Sequence, residues 1–218
     1  MLDQKLKERT MELIEKIPKL IEENKYSEGP ELYFYQKTLS LRRQKSLYDL
    51  FADLKNRYIE LIYATLVSWG MNSRGAKMKY FDNFRSSILD NKEAFKDVSC
   101  YVLDDLSEAE FVKVKTICNK IYSGLHLMKT RSRLVSNSKI MHFILPDLVM
   151  PMDRNNTLKF FYNNTGESKK RFQNILESSY YIAKRVNLRQ YLDKKWNLSI
   201  TKVIDNAIIC LMNSTRTS

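Results

Sequence analysis

Glycine and proline are scarce, with five and four copies in 218 residues. An all-β sandwich, which needs a turn about every dozen residues, is thereby excluded. Five scattered glycines also cannot build a phosphate loop of the Walker or Rossmann kind. Cysteine is rarer still: Cys100, Cys118 and Cys210 are odd in number, far apart and accompanied by only two histidines. That pattern excludes a disulfide framework and a zinc ribbon, and it points to a reduced, cytoplasmic compartment. With no His-Glu-x-x-His and no Cys-x-x-Cys, no metal site is expected. No stretch approaches ~18 uncharged apolar residues, and the opening MLDQKLKERTMELIEK is too charged for a signal peptide. No membrane partner is expected.

What is present is apolar residues at helical spacing. The chain is 44% apolar and 28% charged, enough to bury a core. Leu6, Leu13, Ile17, Leu20 and Ile21 recur at threes and fours, and Ser27-Glu28-Gly29-Pro30 breaks that pattern. A long segment then runs to Trp69 as one or two helices, with Leu47, Leu50, Phe51, Leu54, Tyr58, Leu61, Ile62 and Leu66 on one face. Gly70 suits the left-handed position after it. Further helices are predicted over Met78–Leu89, from Ser107 (a Ser…Glu capping box with Glu110) to Gly124, and from Leu134 to Leu145, where Pro146 stops it. Asp153 would cap a helix through Tyr162. Two more are predicted over 168–186 and 199–212, with a frayed tail. Residues 1–218 therefore read as one all-α unit of eight to eleven helices, with two helical lobes and a cleft near Trp69 and Asp153.

The charge is regional. Residues 1–60 carry 12 basic and 11 acidic side chains, so the excess lies in the remaining 25 basic and 14 acidic ones. Lys113, Lys115, Lys120, Lys129, Arg131, Arg133 and Lys139 face one acid, Glu110, over 110–139. A second stretch, Lys169 to Lys195, has eight basic residues against Glu177 and Asp193. Clustered cations are the footprint of a phosphate-backbone binder, which makes nucleic acid, double-stranded DNA above all, the expected partner. Lys129, Arg131 and Arg133 are expected on one exposed surface.

Two segments carry candidate chemistry: LVSWGMNSRGAKM (66–78) and LVSNSKIMHFILPDLVMPMDR (134–154). Asp153 follows an apolar stretch at a helix start, where an acid suits the helix dipole. Trp69, with Tyr63 and Tyr80, could line a pocket, and Asn72, Arg74 and Lys77 in the loop beyond could add polar or phosphate contacts. His126 and His142 lie among apolar residues and read as hydrogen-bonded structural histidines.

The Trp-Gly-Met-Asn…Gly-Ala-Lys-Met run and the Ser-Lys-x-x-His-Phe-x-x-Pro-Asp-Leu-x-x-Pro-x-Asp-Arg run resemble an uncharacterised microbial family. That family is in turn similar to the helix-hairpin-helix DNA glycosylase superfamily. The resemblance implies a two-lobed all-α fold with a hairpin on the DNA backbone, a helix with a lysine near its start, and an aspartate opening the next helix. Ser138-Lys139 would match the helix start and Asp153 the aspartate, with Asp153 and Lys139 catalytic and Asn137, Ser138 and Arg154 joining the DNA contacts. No cysteine quartet is present, so no iron–sulfur cluster and no cofactor are expected. The chain departs from the glycosylase pattern at the hairpin. Arg133–Ser138 holds no glycine, although Asn137 can adopt a left-handed conformation and Ser136 and Ser138 can donate to phosphate. Three readings follow: a DNA N-glycosylase acting on a damaged or non-standard base, a non-catalytic helical nucleic-acid-binding module, and a protein-interaction domain with a basic surface.

Overall fold

The structure, a computed structural model, describes residues 2–23, 28–72 and 77–217. Among them the chain is all-helical, with eleven α-helices and no strand beyond one antiparallel bridge between Met78 and Met128. The helices are α1 (Gln4–Glu23), α2 (Pro30–Gln44), α3 (Leu47–Ala52), α4 (Arg57–Ser68), α5 (Phe81–Leu89) and α6 (Lys92–Val98). They continue with α7 (Glu108–Gly124), α8 (Leu134–Ile144), α9 (Lys159–Tyr162), α10 (Lys169–Arg185) and α11 (Ile200–Thr217). A π-helical turn over Arg154–Leu158 leads into α9. None of the described helices is long and apolar enough to cross a membrane.

Local chemistry sets most boundaries. Pro30 occupies the first turn of α2, where its missing N–H costs nothing. Ser107 and Glu110 form the reciprocal capping box of α7. Gly70 follows α4 at φ 73°, the left-handed position that glycine tolerates best. Three expectations need correction. The segment from Pro30 to Trp69 is three helices, because a turn at Asp53 and a left-handed Asn56 (φ 51°) separate α3 from α4. Leu54 falls in that turn and is 95% exposed. Met78 precedes α5 in extended pairing with Met128, and α11 continues past Met212 to Thr217.

α8 is the axis of the molecule. Nine of its residues are buried, leaving Val135 and Lys139 as its partly exposed positions. A helix enclosed on nearly all sides must satisfy its polar groups internally. Tyr58 Oη donates to Phe143 O at 2.7 Å and Arg42 Nε to Ile144 O at 2.8 Å, satisfying carbonyls at its C-terminal end. At the other end, Leu134 N donates to Glu167 Oε2 at 2.8 Å. Asn137 Nδ2 donates to Tyr122 O at 2.9 Å and Leu125 O at 3.1 Å, closing the end of α7. Ser138 Oγ accepts from Met152 N at 3.1 Å.

Around this axis, α2 lies on α4, joined by a Thr38–Thr65 hydroxyl pair at 2.7 Å. α1 packs against α9, α10 and α11, while α7 meets α10 through the Phe111–Tyr180 and Tyr122–Phe172 ring stacks. His142 Nδ1 lies 3.0 Å from Val149 O, so the proton belongs on Nδ1 and Nε2 accepts from Tyr35 Oη at 3.2 Å. Burial, with the Lys202 charge second, pushes the His142 pKa down to about 3. His126, by contrast, is exposed, and its backbone N–H rather than its ring bonds Ser87.

Two outcomes follow from α8. His142 stays neutral in the folded protein, whereas the unfolded chain takes up a proton below about pH 6.5. Stability is therefore full above 6.5 and falls by up to about 1.4 kcal/mol per pH unit towards pH 3. Urea unfolding between about pH 6.5 and 5, above the ordinary carboxylate range, should show this slope in the wild type and lose much of it in His142→Gln. Asn137→Ala strands two buried carbonyls and should cost at least about 2 kcal/mol in the same measurement.

Candidate functional site

The open stripe of α8 faces a cleft. Two adjoining cavities of about 410 and 570 Å³ share Trp69, Gly70, Lys139 and Asp153. Both volumes suit a small-molecule or base-sized ligand. The smaller cavity is completed by Trp196, Lys202 and Asp205, the larger by Met71, Met128, Thr130, Ser132, Arg154 and Glu167, among others. Each side chain arrives for a local reason. Trp69 and Gly70 are the C-terminal cap of α4, Lys139 is on the one unburied face of α8, and Asp153 ends the 146–152 connection, which is buried except at Asp147. Lys202 and Asp205 occupy the first turns of α11, whose first N–H, that of Ile200, is capped by Asp147 Oδ1 at 3.1 Å.

Trp69 is the centre of the cationic groups. Lys139 Nζ lies 5.2 Å and Lys202 Nζ 5.3 Å from its ring, and Lys202 is also 5.3 Å from Trp196 and 6.0 Å from Tyr35. Tyr35 is fully buried behind both tryptophans, stacked on Trp196 at 5.7 Å and tilted on Trp69 at 5.6 Å. Lys202 pairs with Asp205 at 2.5 Å, and each residue is only 4% exposed. Burial pushes the Asp205 carboxyl up, Lys202 pulls it down, and the charges of Asp153 and Lys139 act on it in opposite directions.

Asp153 caps the π-helical turn, as an acid at a helix start should. Its Oδ1 accepts from Asn156 N at 2.6 Å and its Oδ2 from Asn156 Nδ2 at 2.8 Å. Arg154 is half-exposed and engaged with Glu167 at 2.6 Å and Ser132 Oγ at 2.8 Å. Thus Lys139, Asp153, Trp69 and Arg154 share one cleft. Asn72 and Lys77 do not line it; both are exposed beyond Met71, with Lys77 Nζ donating to Asn72 O at 2.8 Å. Arg74 lies outside the described residues. Tyr63 belongs to the core, edge-on to Phe81 and Phe84, and Tyr80 is exposed beneath Lys129 Nζ at 4.2 Å.

Asn137 and Ser138 correct the sequence reading. Both are fully buried and occupied in the fold, so neither reaches a phosphate. The helix containing Lys139 starts at Leu134 rather than Ser138, and residues 134–138 form its opening turns instead of a hairpin. Lys129 and Arg131 are exposed and Arg133 is partly exposed on the segment leading into α8. The two basic stretches meet there: Arg133 Nη1 reaches Ser123 O at 3.5 Å and Lys169 Nζ reaches Ser123 Oγ at 2.7 Å.

Trp196, Lys202 and Asp205 were not singled out by the sequence reading. A signal existed, two opposite charges three residues apart inside the apolar run ITKVIDNAII (200–209). Among the described residues no group of three or more His, Cys, Asp or Glu side chains could hold a metal ion. Comparison with protein-family models, with curated proteins and with solved structures finds no match to this chain.

The buried pair makes a testable demand. Lys202→Met leaves Asp205 without its partner and should cost about 3–5 kcal/mol, whereas the Lys202→Met/Asp205→Leu double change should come within about 1 kcal/mol of the wild type or exceed it. Denaturant unfolding of both variants checks the contrast.

Proposed function

We propose that the protein binds DNA over the cationic segment Lys129, Arg131 and Arg133 and excises a damaged or non-standard base held in the adjoining cleft, as a DNA N-glycosylase does. The observation that carries this reading is the convergence of Lys139 and Asp153 on one cleft with both tryptophans of the chain. Thr130 and Ser132, from the same cationic segment, line the larger of its two cavities. The reading groups α1, α9, α10 and α11 as one lobe and α2 to α6 as the other, with α7 and α8 between them.

Excision requires a base to leave the stack, rest on apolar or aromatic surface, and depart while positive charge develops on the sugar. Trp69 and Trp196 supply the stacking surface. Asp153 supplies the carboxylate that opposes the developing charge, an interaction stronger in a dehydrated cleft than in water. Lys139 is the amine for attack on the sugar carbon in this reading: its nitrogen lone pair forms the new bond, the base leaves with the electron pair of the broken bond, and a proton from the Lys139 nitrogen passes to the departing base. With no glycine hairpin to present backbone N–H groups, phosphate contact falls to the side chains of 129, 131 and 133.

One observation favours the non-catalytic binding module instead: both oxygens of Asp153 are already engaged by Asn156. Asp153→Asn separates the two. Asparagine caps about as well as aspartate, so stability should change little. Under the enzymatic reading, excision from oligonucleotides carrying oxidised, deaminated or alkylated bases is abolished while DNA affinity stays nearly intact, because the carboxylate acts in the transition state. Absence of excision of all of them by the wild type leaves the binding module. For binding itself, replacing Lys129, Arg131 and Arg133 together by Ala should weaken duplex affinity and lower the slope of log K against log salt by about 0.9 per lost phosphate contact. An unchanged slope places the nucleic acid elsewhere.

A further inference from the structure

We infer that the smaller cavity is a subsite for an uncharged planar ring with a cyclic-amide edge, –NH–C(=O)–, with Lys202 donating to the carbonyl oxygen and Asp205 accepting from the adjacent N–H. On the reading above, which this inference deepens, the ring is the extruded base: guanine, hypoxanthine, uracil or an oxidised purine.

The walls select a flat ring. Trp69 and Trp196 both line the cavity, and buried Tyr35 fixes their relative tilt by packing on each. Aromatic faces hold any base by stacking and on their own discriminate little. Discrimination falls to the polar groups. Lys202 and Asp205 place a charged donor and a charged acceptor side by side, and both are buried. A ring that covers them removes what water they have, so it must return hydrogen bonds to both or lose affinity.

A cyclic amide meets that demand through one conjugated unit. Its oxygen gains negative character as its N–H becomes more acidic, so the ammonium and the carboxylate each strengthen the other's bond. Adenine and cytosine offer a ring nitrogen and an amino group, a weaker acceptor and a less acidic donor. Anions are disfavoured, since Glu31, Asp153 and Asp205 oppose Lys139 and Lys202 around the same cavity. The pair is also placed to act on a departing base, because the oxygen of a cyclic amide carries the negative charge that the leaving ring acquires. Lys202 faces that oxygen.

The chain has only two tryptophans; Trp196 lines this cavity and Trp69 lines both cavities, so intrinsic tryptophan emission reports on the cleft and the Lys202 and Asp205 variants assign the response to this cavity. Guanosine, inosine, uridine, adenosine and cytidine are titrated against the full chain and against Lys202→Met, Lys202→Arg and Asp205→Asn. Duplex affinity is measured in parallel by anisotropy of a labelled oligonucleotide. The expected result is quenching by guanosine, inosine and uridine at about tenfold or more lower concentration than by adenosine and cytidine. Folded Lys202→Met and Asp205→Asn should shrink that preference to about twofold or less, on the same conversion, with duplex affinity little changed. No quenching, equal quenching by all five, or a preference that survives in these variants overturns the inference. The wild-type comparison decides even if a variant does not fold. Duplex binding without nucleoside preference overturns the subsite alone. Nucleoside preference without duplex binding or excision overturns the DNA reading and leaves the subsite.

Discussion

The architecture depends on the enclosure of one short helix. α8 has neighbours on every side except along Val135 and Lys139, so its polar side chains cannot turn to water. Asn137, Ser138 and His142 become internal connectors, to the end of α7, to Met152 and to the Val149–Tyr35 pair respectively. These bonds fix more than α8. The Ser138–Met152 bond fixes the backbone immediately before Asp153, and the His142–Tyr35 contact fixes the ring on which Trp69 and Trp196 rest. The cleft is the place where the enclosure is incomplete. Its position follows from the packing of α8, and its contents follow from what that packing brings to the gap.

Much of this was legible in the chain, and the failures share a cause. Pro30, Ser107, Gly70, Pro146 and Asp153 mark boundaries through chemistry local to a few residues, and the helices obey them. Trp69 and Asp153 each lie beside a break in an apolar pattern, whereas Lys139, in the middle of α8, was reached only through the resemblance. Asn137 and Ser138 were misread because Ser-Asn-Ser before a lysine looks like a polar surface turn. Only tertiary context reveals that the carbonyls of Tyr122 and Leu125 need a donor at that point. Leu54 failed in the opposite sense: its apolar spacing matched a helix, but the Asp53–Asn56 turn rotates it into solvent. The Lys202–Asp205 pair is visible as an anomaly in an apolar helix. Its meaning depends on Trp69 and Trp196, which come from distant parts of the chain.

That pair bears on why the site is polar at all. Two opposite charges at about one-twentieth exposure of each side chain bring little net stability, since their dehydration offsets much of their attraction. An apolar pair would pack as well. On the proposed reading the pair serves through what it presents to the cavity rather than through what it contributes to folding. The fold nevertheless supports them: Asp147 anchors the start of α11 that carries both residues, and three aromatic rings surround the ammonium. The faces of these rings replace part of the hydration that Lys202 loses without neutralising it.

The same argument extends to Lys139 and sets the character of the cleft. Its ammonium lies against the Trp69 ring and near Met71 Sδ, so it too is solvated in part by polarisable groups that cannot reorganise as water does. Charges held in fixed positions by side chains already oriented act on a bound molecule without the cost of turning solvent dipoles during a reaction. Lys139 and Lys202 approach one tryptophan while Asp153 and Asp205 line the same walls, so a neutral ligand meets strong local fields with little net charge. Long-range attraction is thereby separated from local chemistry. The cationic 129–133 segment and Lys169 do not line the smaller cavity, so on the proposed reading attraction of a polyanion falls to them and discrimination to the cavity, where Glu31, Asp153 and Asp205 face Lys139 and Lys202.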